Sequence, residues 1–255
     1  MGSSACISYQ NYLDPSGPRH AGSGGNSHTA PPGPPTLHTA SFNIEYGRDV
    51  EGALQVIQEN RELSEADFIL LQEMDADGTR RIAEAMGMAW VYYPATVRHG
   101  RDFGNAVLSR WPIEEDAKLL LPHESIFGNT RRTATAATVQ VRGTRVRVYS
   151  VHLATMVNMG AEQRADQLRT ILDDAEGHPH VIIGGDLNSG SLAELAVERG
   201  YRWPTREGPA TAWFTRVDHI LYRGLVPEWF DGAGTVTENG GASDHRPVWA
   251  RGRVR

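Results

Sequence analysis

Six short segments of this chain combine an apolar run with a carboxylate, an amide or an imidazole at one end. They are 41-SFNIEYG-47, 69-ILLQEMD-75, 149-YSVHLAT-155, 181-VIIGGDLNSG-190, 217-VDHILY-222 and, on a glycine-rich turn, 243-SDH-245. Short apolar runs are typical of buried strands, and functional side chains are usually carried where rigid strands end. One polar residue after a strand is usually a solvated turn residue, but the set predicts a single pocket of acids and imidazoles.

The rest of the chain alternates between strand-like and helix-like segments. Apolar or alternating runs predict strands at 37–44, 68–71, 104–113, 133–141, 145–153, 180–183, 217–222 and 247–251. Helical spacing of apolar residues predicts helices around 50–57, 79–86, 161–175 and 192–197. Strands dominate and several are joined as hairpins, so we predict an α/β (α+β) sandwich of two mixed sheets packed face to face with helices outside.

The composition indicates one domain preceded by an arm. Hydrophobic residues make up 40 % of the 255 residues, which is enough to bury a sizeable core. Residues 1–35 are rich in Gly, Ser, Pro and His and predict a flexible or extended N-terminal arm, followed by a single domain over 36–255. The formal net charge of −6 provides no general basic field that would attract nucleic acid or membrane.

The start of the chain carries no recognisable targeting segment. MGSSACISYQ lacks the basic and apolar regions of a signal peptide, and no run of about 18 apolar residues occurs, so we expect a soluble protein. If Met1–Ser4 replaced a leader, Cys6 would be the first residue of an exported, lipid-anchored form; otherwise it is an ordinary thiol. As the only cysteine, Cys6 can form neither an internal disulfide nor a cysteine-based zinc site.

The order of the motifs resembles the endonuclease/exonuclease/phosphatase superfamily. SFNIEYG, LLQE, GNAVLSR, YSVHL, GGDLN, VDHIL and SDHRPV follow one another between about residues 39 and 251. The superfamily includes pancreatic-type deoxyribonucleases, abasic-site endonucleases, neutral sphingomyelinases and inositol polyphosphate phosphatases. The resemblance implies a four-layered sandwich and metal-dependent hydrolysis of a phosphoester.

The resemblance also implies a set of metal ligands. Glu73 is the first candidate, because Mg²⁺ and Mn²⁺ take oxygen ligands and keep several waters, so that few carboxylates suffice for one or two ions. Asn43 supports the metal or the phosphate, and Glu45, expected on the same side of the same strand, is a further, water-mediated ligand. Asp244 is a ligand of the first or a second ion.

Catalytic roles follow from the same resemblance. Asp186 activates or aligns the attacking water, and Asn188, two residues further along, hydrogen-bonds a phosphate oxygen. His245 acts at the scissile phosphate with Asp218 as its partner, because a buried acid beside a histidine raises its pKa and fixes its tautomer. His152 is a second imidazole, acting on the leaving group or on a nonbridging oxygen.

Asn105 and Arg132 match positions that shape the phosphate pocket, although turn and strand-edge roles explain both residues equally well. Arg131 could take the part of Arg132.

The predicted activity is hydrolysis of a phosphodiester by in-line attack of an activated water, in a nuclease-like enzyme whose substrate could be DNA or RNA. The alternatives are hydrolysis of small or lipid-headgroup phosphoesters and an inactive binding module. Aromatic and arginine residues at 88–102 and 201–220 could hold nucleic acid or belong to core and rim. Neither a 5-phosphatase signature nor a membrane-inserting apolar hairpin is visible, and we expect a monomer.

Overall fold

A computed structural model describes residues 10–24, 36–228 and 232–254, and within them thirteen strands form two sheets. In chain order the strands are β1 (His20–Gly22), β2 (Thr36–Asn43), β3 (Phe68–Met74), β4 (Ala89–Arg98), β5 (Arg101–Ser109), β6 (Ile113–Leu120), β7 (Thr133–Val141), β8 (Thr144–His152), β9 (Val181–Asp186), β10 (Asp218–Arg223), β11 (Leu225–Pro227), β12 (Ala233–Thr235) and β13 (Val248–Val254). The first sheet has the order β1-β4-β5-β3-β2-β13-β11, with β12 on β13, and the second has the order β10-β9-β8-β7-β6. Each sheet is mixed: β2 pairs parallel with β3, and β8 pairs parallel with β9, while the other pairs are antiparallel.

The alternation of side chains along each strand produces four layers. In β3, Phe68 and Leu70 face the second sheet, whereas Ile69 and Leu71 face the helices. The described part of the chain has five α-helices: α1 (Val50–Glu59), α2 (Arg61–Ser64), α3 (Ala76–Met86), α4 (Ala161–Asp174) and α5 (Gly190–Glu198). The first three cover the outer face of the first sheet and the last two cover the second, which confirms the predicted fold class.

The space between the sheets changes from apolar to polar along its length. The inward-facing residues of β8 run from Val148 through Ser150 to His152. Those of β9 run from Ile182 through Gly184 to Asp186. Carboxylates and imidazoles therefore collect at one end of the sandwich, which is where the six sequence segments predict a pocket.

Backbone devices hold this polar end together. Gly185 has φ 148°, and a Cβ atom there would lie 1.9 Å from the carbonyl oxygen of Val151, so the close pairing of β8 and β9 needs glycine. Between the sheets, the Gln72 amide donates to Ser150 Oγ at 2.9 Å, and Ser150 Oγ donates to the Leu71 carbonyl at 3.0 Å. Gln72 thus lies in the space between the sheets and links them.

The predicted elements all occur, with shifted ends. The hairpin at Gly143 is confirmed: Arg142 and Gly143 both have positive φ and join β7 to β8. The strand predicted at 104–113 ends at Ser109, and five strands were not predicted: β1, β4, β6, β11 and β12. Strand β6 was missed because its sequence, IEEDAKLL, is half exposed and interrupted by charges.

The predicted N-terminal arm differs from the structure over residues 10–24. Strand β1 pairs with β4, and the ammonium of Lys118, the only lysine, donates to the carbonyls of Tyr12, Asp14 and Gly17. Polar backbone contacts hold this segment although it has few apolar residues, which is why composition alone indicated a flexible arm. Residues 1–9, with Cys6, and residues 25–35 lie outside the described part of the chain.

No helix in the described ranges is both long enough and apolar enough to cross a membrane.

Candidate active site

The polar end of the sandwich assembles most of the predicted site residues. Parallel strands β2 and β3 end at Asn43 and beside Glu73, and parallel strands β8 and β9 end at His152 and Asp186. Because the carboxyl ends of parallel strands lie at the same edge of a sheet, each pair brings its polar residues together. The antiparallel neighbours β10 and β13 begin at this end, which places Asp218 against Asp186 and the 243–247 turn beside Asn43.

Asn43 joins the two sheets inside the site. Its amide nitrogen lies 3.2 Å from Glu73 Oε1 and 3.3 Å from Asp186 Oδ2. The Asn43 side chain is fully buried, and the carboxylates on either side of it are nearly so. Burial raises the pKa of Glu73 above its usual range, and burial together with the Asp218 charge raises the pKa of Asp186 to about 7.

The backbone at Glu73 departs from a regular strand. Its φ is 58°, and the pairing of β3 with β5 shifts register between Leu71 and Met74. A non-glycine residue in this conformation costs on the order of 1–3 kcal/mol and persists where its surroundings fix it. Here Glu73 Oε2 accepts a hydrogen bond from the Tyr46 backbone N–H at 3.1 Å. The bulge turns the Glu73 carboxylate toward Asn43 instead of into the core.

Asp218 and His245 form the predicted pair. His245 Nδ1 lies 2.9 Å from Asp218 Oδ2, and His245 Nε2 lies 3.9 Å from Asp186 Oδ2. Burial alone would lower the pKa of His245, but the charge and hydrogen bond of Asp218, aided by Asp186, outweigh it and raise the pKa to about 10. His245 is therefore an imidazolium at neutral pH, with Nε2–H directed toward the centre of the site.

His152 is held in the opposite protonation state. Burial and the neighbouring Arg132 guanidinium lower the pKa of His152 well below its usual value. Arg132 is only a donor, and its Nη1 lies 3.2 Å from His152 Nδ1, so Nδ1 accepts and the proton of the neutral ring is on Nε2. Nε2 lies 3.4 Å from Asp186 Oδ2 and 3.8 Å from Glu73 Oε1.

Among the described residues of this site, two groups of side chains could hold a cation. Asp186, Asp218 and His245 offer ligand atoms within 4.8 Å of one another. The Nδ1–H of His245, however, donates to Asp218, and Nε2 also carries a proton. Neither ring nitrogen therefore has a lone pair with which to bind a cation. Glu73 and Asp186 instead present buried carboxylate oxygens on either side of the Asn43 amide, and carboxylate oxygens are the donors that a hard divalent cation prefers. The Asn43 amide turns Nδ2 toward these carboxylates, while its Oδ1 accepts from the Glu45 N–H at 3.2 Å.

Two predicted metal ligands are not brought into this group. Strand β2 ends at Asn43, and Glu45 lies in a 3-10 helix (Glu45–Gly47) with φ 32°, so the two side chains do not share a strand face as predicted. The Glu45 carboxylate pairs with Arg48. Asp244 is exposed and lies outside the cation group formed by described residues, although its charge contributes to the raised pKa of His245.

Asn188 and Asn105 lie at this end with their amides engaged. Asn188 has φ 54° and donates from Nδ2 to the Leu153 carbonyl at 2.9 Å. The two-residue alternation of a regular strand therefore does not set the direction of its side chain relative to that of Asp186. Asn105 donates from Nδ2 to the Thr133 carbonyl at 2.7 Å and so ties the first sheet to the second.

Ser243 has a structural role that sequence reasoning missed. It donates from Oγ to the Asn43 carbonyl at 2.7 Å and accepts from the His245 N–H at 3.0 Å. The only signal for it was its position next to Asp244 and His245 in the SDH triplet.

Two recesses flank the site. One, of about 420 Å³, is lined by Glu45, Tyr46, Arg48, Arg98, His99 and Arg101. The other, of about 560 Å³, lies beside Asn188 and includes Met156, Trp203 and Phe214. One side of the site is thus rich in arginine, with Arg48 and Arg101 paired to Glu45 and Asp75, and the other side is mixed, with apolar side chains beside Arg216 and His219.

Comparison with known proteins agrees with this geometry. A model of the Endonuclease/Exonuclease/phosphatase family matches residues 40–245, so the chain belongs to this family, whose members are hydrolases acting on phosphoesters. A search of curated proteins finds no match.

Several solved structures share the fold. The endonuclease/exonuclease/phosphatase from Beutenbergia cavernae DSM 12333 is 21 % identical, with a TM-score of 0.69 over 86 % of this chain and 72 % of that one. D. rerio TDP2 complexed with a single-strand DNA product is 17 % identical, with a TM-score of 0.64 over 86 % and 99 %. The human Nocturnin catalytic domain with a bound sulfate anion is 18 % identical, with a TM-score of 0.63 over 86 % and 95 %.

Proposed function

We propose that this protein is a divalent-metal-dependent phosphodiesterase that hydrolyses its substrate by in-line attack of water. The observation that carries the proposal is the convergence of two histidines on the buried Asp186 carboxylate, with His152 Nε2 at 3.4 Å and His245 Nε2 at 3.9 Å from Oδ2. A charged His245 and a neutral His152 offer two N–H donors of different strength on one reacting group.

Glu73 and Asp186 would hold Mg²⁺ or Mn²⁺ through their carboxylate oxygens, and Asn43 would join them through Oδ1 once its amide turns over. When bound, such an ion supplies Lewis-acid polarisation of a phosphoryl oxygen. The fit rests on this chain's own residues: burial raises the pKa values of Glu73 and Asp186, and a divalent cation relieves the cost of their two charges in one buried place.

The remaining work falls to three side chains. Asp186 aligns the attacking water and accepts its proton, since its carboxylate lies between the two histidines and within reach of a reacting group there. His245 donates from Nε2 to a nonbridging phosphate oxygen, where negative charge increases as the water attacks. The neutral His152 donates from Nε2, either to the leaving oxygen or to a second nonbridging oxygen.

The flanking recesses support a diester. A diester carries a group on each side of the phosphorus atom, and the site has a recess on each side, one rich in arginine and the other of mixed polarity. D. rerio TDP2 was solved with a single-strand DNA product, and this supports nucleic acid as one substrate class to test.

A substrate panel tests the proposal. We expect bis(p-nitrophenyl) phosphate to be hydrolysed at least about tenfold faster than p-nitrophenyl phosphate in the presence of Mn²⁺, because only the diester occupies both recesses. A single-stranded oligonucleotide and plasmid DNA, assayed beside them, show whether the diester can be nucleic acid. Turnover of the monoester alone would replace the proposal with a phosphatase, and binding without turnover of any substrate would favour the inactive module.

A further inference from the structure

Six exposed hydrophobic side chains lie on three loops at one end of the molecule. We call them the apolar rim: Ile126, Phe127, Met156, Val157, Trp213 and Phe214. Their side chains are between 64 % and 93 % exposed, and among the described residues the only other exposed large hydrophobic side chain is Leu13. Scattered exposed hydrophobic residues need no explanation, but a cluster of large ones usually marks an interaction surface.

The three loops adjoin one another and the active site. They lie between β6 and β7, between β8 and α4, and just before β10, all at the polar end of the second sheet. The Ile126 N–H donates to the Asn158 carbonyl at 2.9 Å, which joins the first loop to the second. Met156 and Phe214 line the same recess, and Ala212 forms a β-bridge with His245, which joins the third loop to the site.

The charge around the apolar rim is balanced. Residues 153–160 and 211–215 contain no charged side chain. Arg131 lies 3.8 Å from Glu124, and Arg216 lies 3.7 Å from Glu207, so the nearby cations have acidic partners. A polyanion such as nucleic acid is attracted by uncompensated positive charge, which these loops do not present.

The side chains of the apolar rim are suited to hydrocarbon. Half of the apolar rim, Ile126, Met156 and Val157, offers no flat ring on which a base could stack, whereas Phe127, Trp213 and Phe214 are aromatic. Tryptophan and phenylalanine on the third loop are residues that insert at the boundary between lipid headgroups and acyl chains. A surface with apolar tips, balanced charge and a catalytic end beside it matches a zwitterionic lipid surface.

We propose that the apolar rim docks this protein on a zwitterionic phospholipid membrane, with the polar end of the sandwich turned toward the headgroups. Docking does not depend on the proposed hydrolysis. Where that proposed function also holds, the phosphodiesters of lipid headgroups become the substrate class to which the site is presented.

Flotation with phosphatidylcholine vesicles tests docking alone when it is done in EDTA, so that metal-dependent turnover is suppressed. The double variant Val157→Ser/Phe214→Ser removes two apolar tips, and we expect its partition onto vesicles to fall at least about tenfold, because burying even one such side chain contributes about that factor. Leu13→Ser, an exposed residue outside the apolar rim, is the matched control and should bind like wild type. Both changes are at exposed positions, and thermal unfolding confirms that each variant is folded.

Four results would overturn the proposal. Wild-type protein that does not float with phosphatidylcholine vesicles contradicts it directly. Binding that requires anionic lipid and disappears in salt assigns attachment to charge rather than to the apolar rim. Binding of a single-stranded oligonucleotide that the double variant loses assigns these loops to nucleic acid. A wild-type dimer in sedimentation velocity that the double variant converts to monomer assigns them to a second copy of the chain. Loss of hydrolysis with docking intact would instead count only against the proposed function.

Discussion

Replacing Asp218 with asparagine should uncouple His245 from its charge. The Asp218 carboxylate lies 2.9 Å from His245 Nδ1 and is the main reason that the pKa of His245 is raised to about 10. Asparagine keeps the size of the side chain but removes the negative charge. Burial then dominates, and the pKa of His245 should fall to its ordinary value of about 6.5 or lower.

The size of the effect follows from protonation. At pH 8 nearly all wild-type His245 is an imidazolium, whereas a group with a pKa of about 6.5 is only about 3 % protonated. Protonation alone therefore accounts for about a 30-fold loss of kcat/KM. Lost orientation of the ring adds to it, for a total on the order of 10²–10⁴.

The diagnostic measurement is the ratio of wild-type to variant kcat/KM for bis(p-nitrophenyl) phosphate between pH 6 and pH 8. The ratio should shrink at least about tenfold on acidification, because the variant's imidazole regains its proton. Loss of the Asp218 charge also lowers the pKa of Asp186, so acid neutralises less of this carboxylate in the variant than in wild type. Asp173→Asn, an exposed change on α4, is the matched control. A ratio that does not change with pH, or a variant within about threefold of wild type, would refute the role of the pair. Rescue by excess Mn²⁺ would instead make Asp218 a metal ligand.

Three further outcomes are expected. Glu73→Gln should weaken Mn²⁺ binding at least about tenfold in isothermal titration, since it removes a ligand charge, and unchanged affinity would place the ion elsewhere. Asn105→Ala should lower the free energy of unfolding by about 1–3 kcal/mol in urea, because the buried Thr133 carbonyl loses its donor; no loss would mean that water replaces it. Burial lowers the pKa of His219 to about 4 in the folded protein, whereas an unfolded histidine has a pKa of about 6.5. Between these pH values only the unfolded chain binds the proton, so the free energy of unfolding falls as the pH drops from about 6.5 to about 4. His219→Gln should reduce this loss of unfolding free energy in acid by up to about 3 kcal/mol. An unchanged dependence of the unfolding free energy on pH would show that His219 is not the source of the loss.

The sequence predicted the fold and most of the site because strand alternation has a fixed period. Once β8 and β9 are buried strands, the polar residues that follow their apolar positions must share one edge. The Asp218–His245 pair and the place of His152 follow from this regularity together with the family resemblance.

The sequence failed where the backbone leaves the regular strand. Glu45 was expected beside Asn43 on one strand face, but the strand ends and a 3-10 helix turns Glu45 toward Arg48.

The apolar rim was not predicted for another reason. Three loops that are far apart in sequence form it, so no single segment resembles a membrane-inserting hairpin. The aromatic residues of 88–102 show the same limit, since Trp90, Tyr92 and Tyr93 are buried whereas Trp213 is exposed.

The most direct test of the account is the hydrolysis of bis(p-nitrophenyl) phosphate by wild type and His245→Ala, each with Mn²⁺ and after chelation. We predict turnover by wild type with Mn²⁺, none after chelation, and a loss of at least about 100-fold in His245→Ala. Turnover that persists after chelation and without the His245 imidazole would show that the polar end of the sandwich is not a metal-dependent active site.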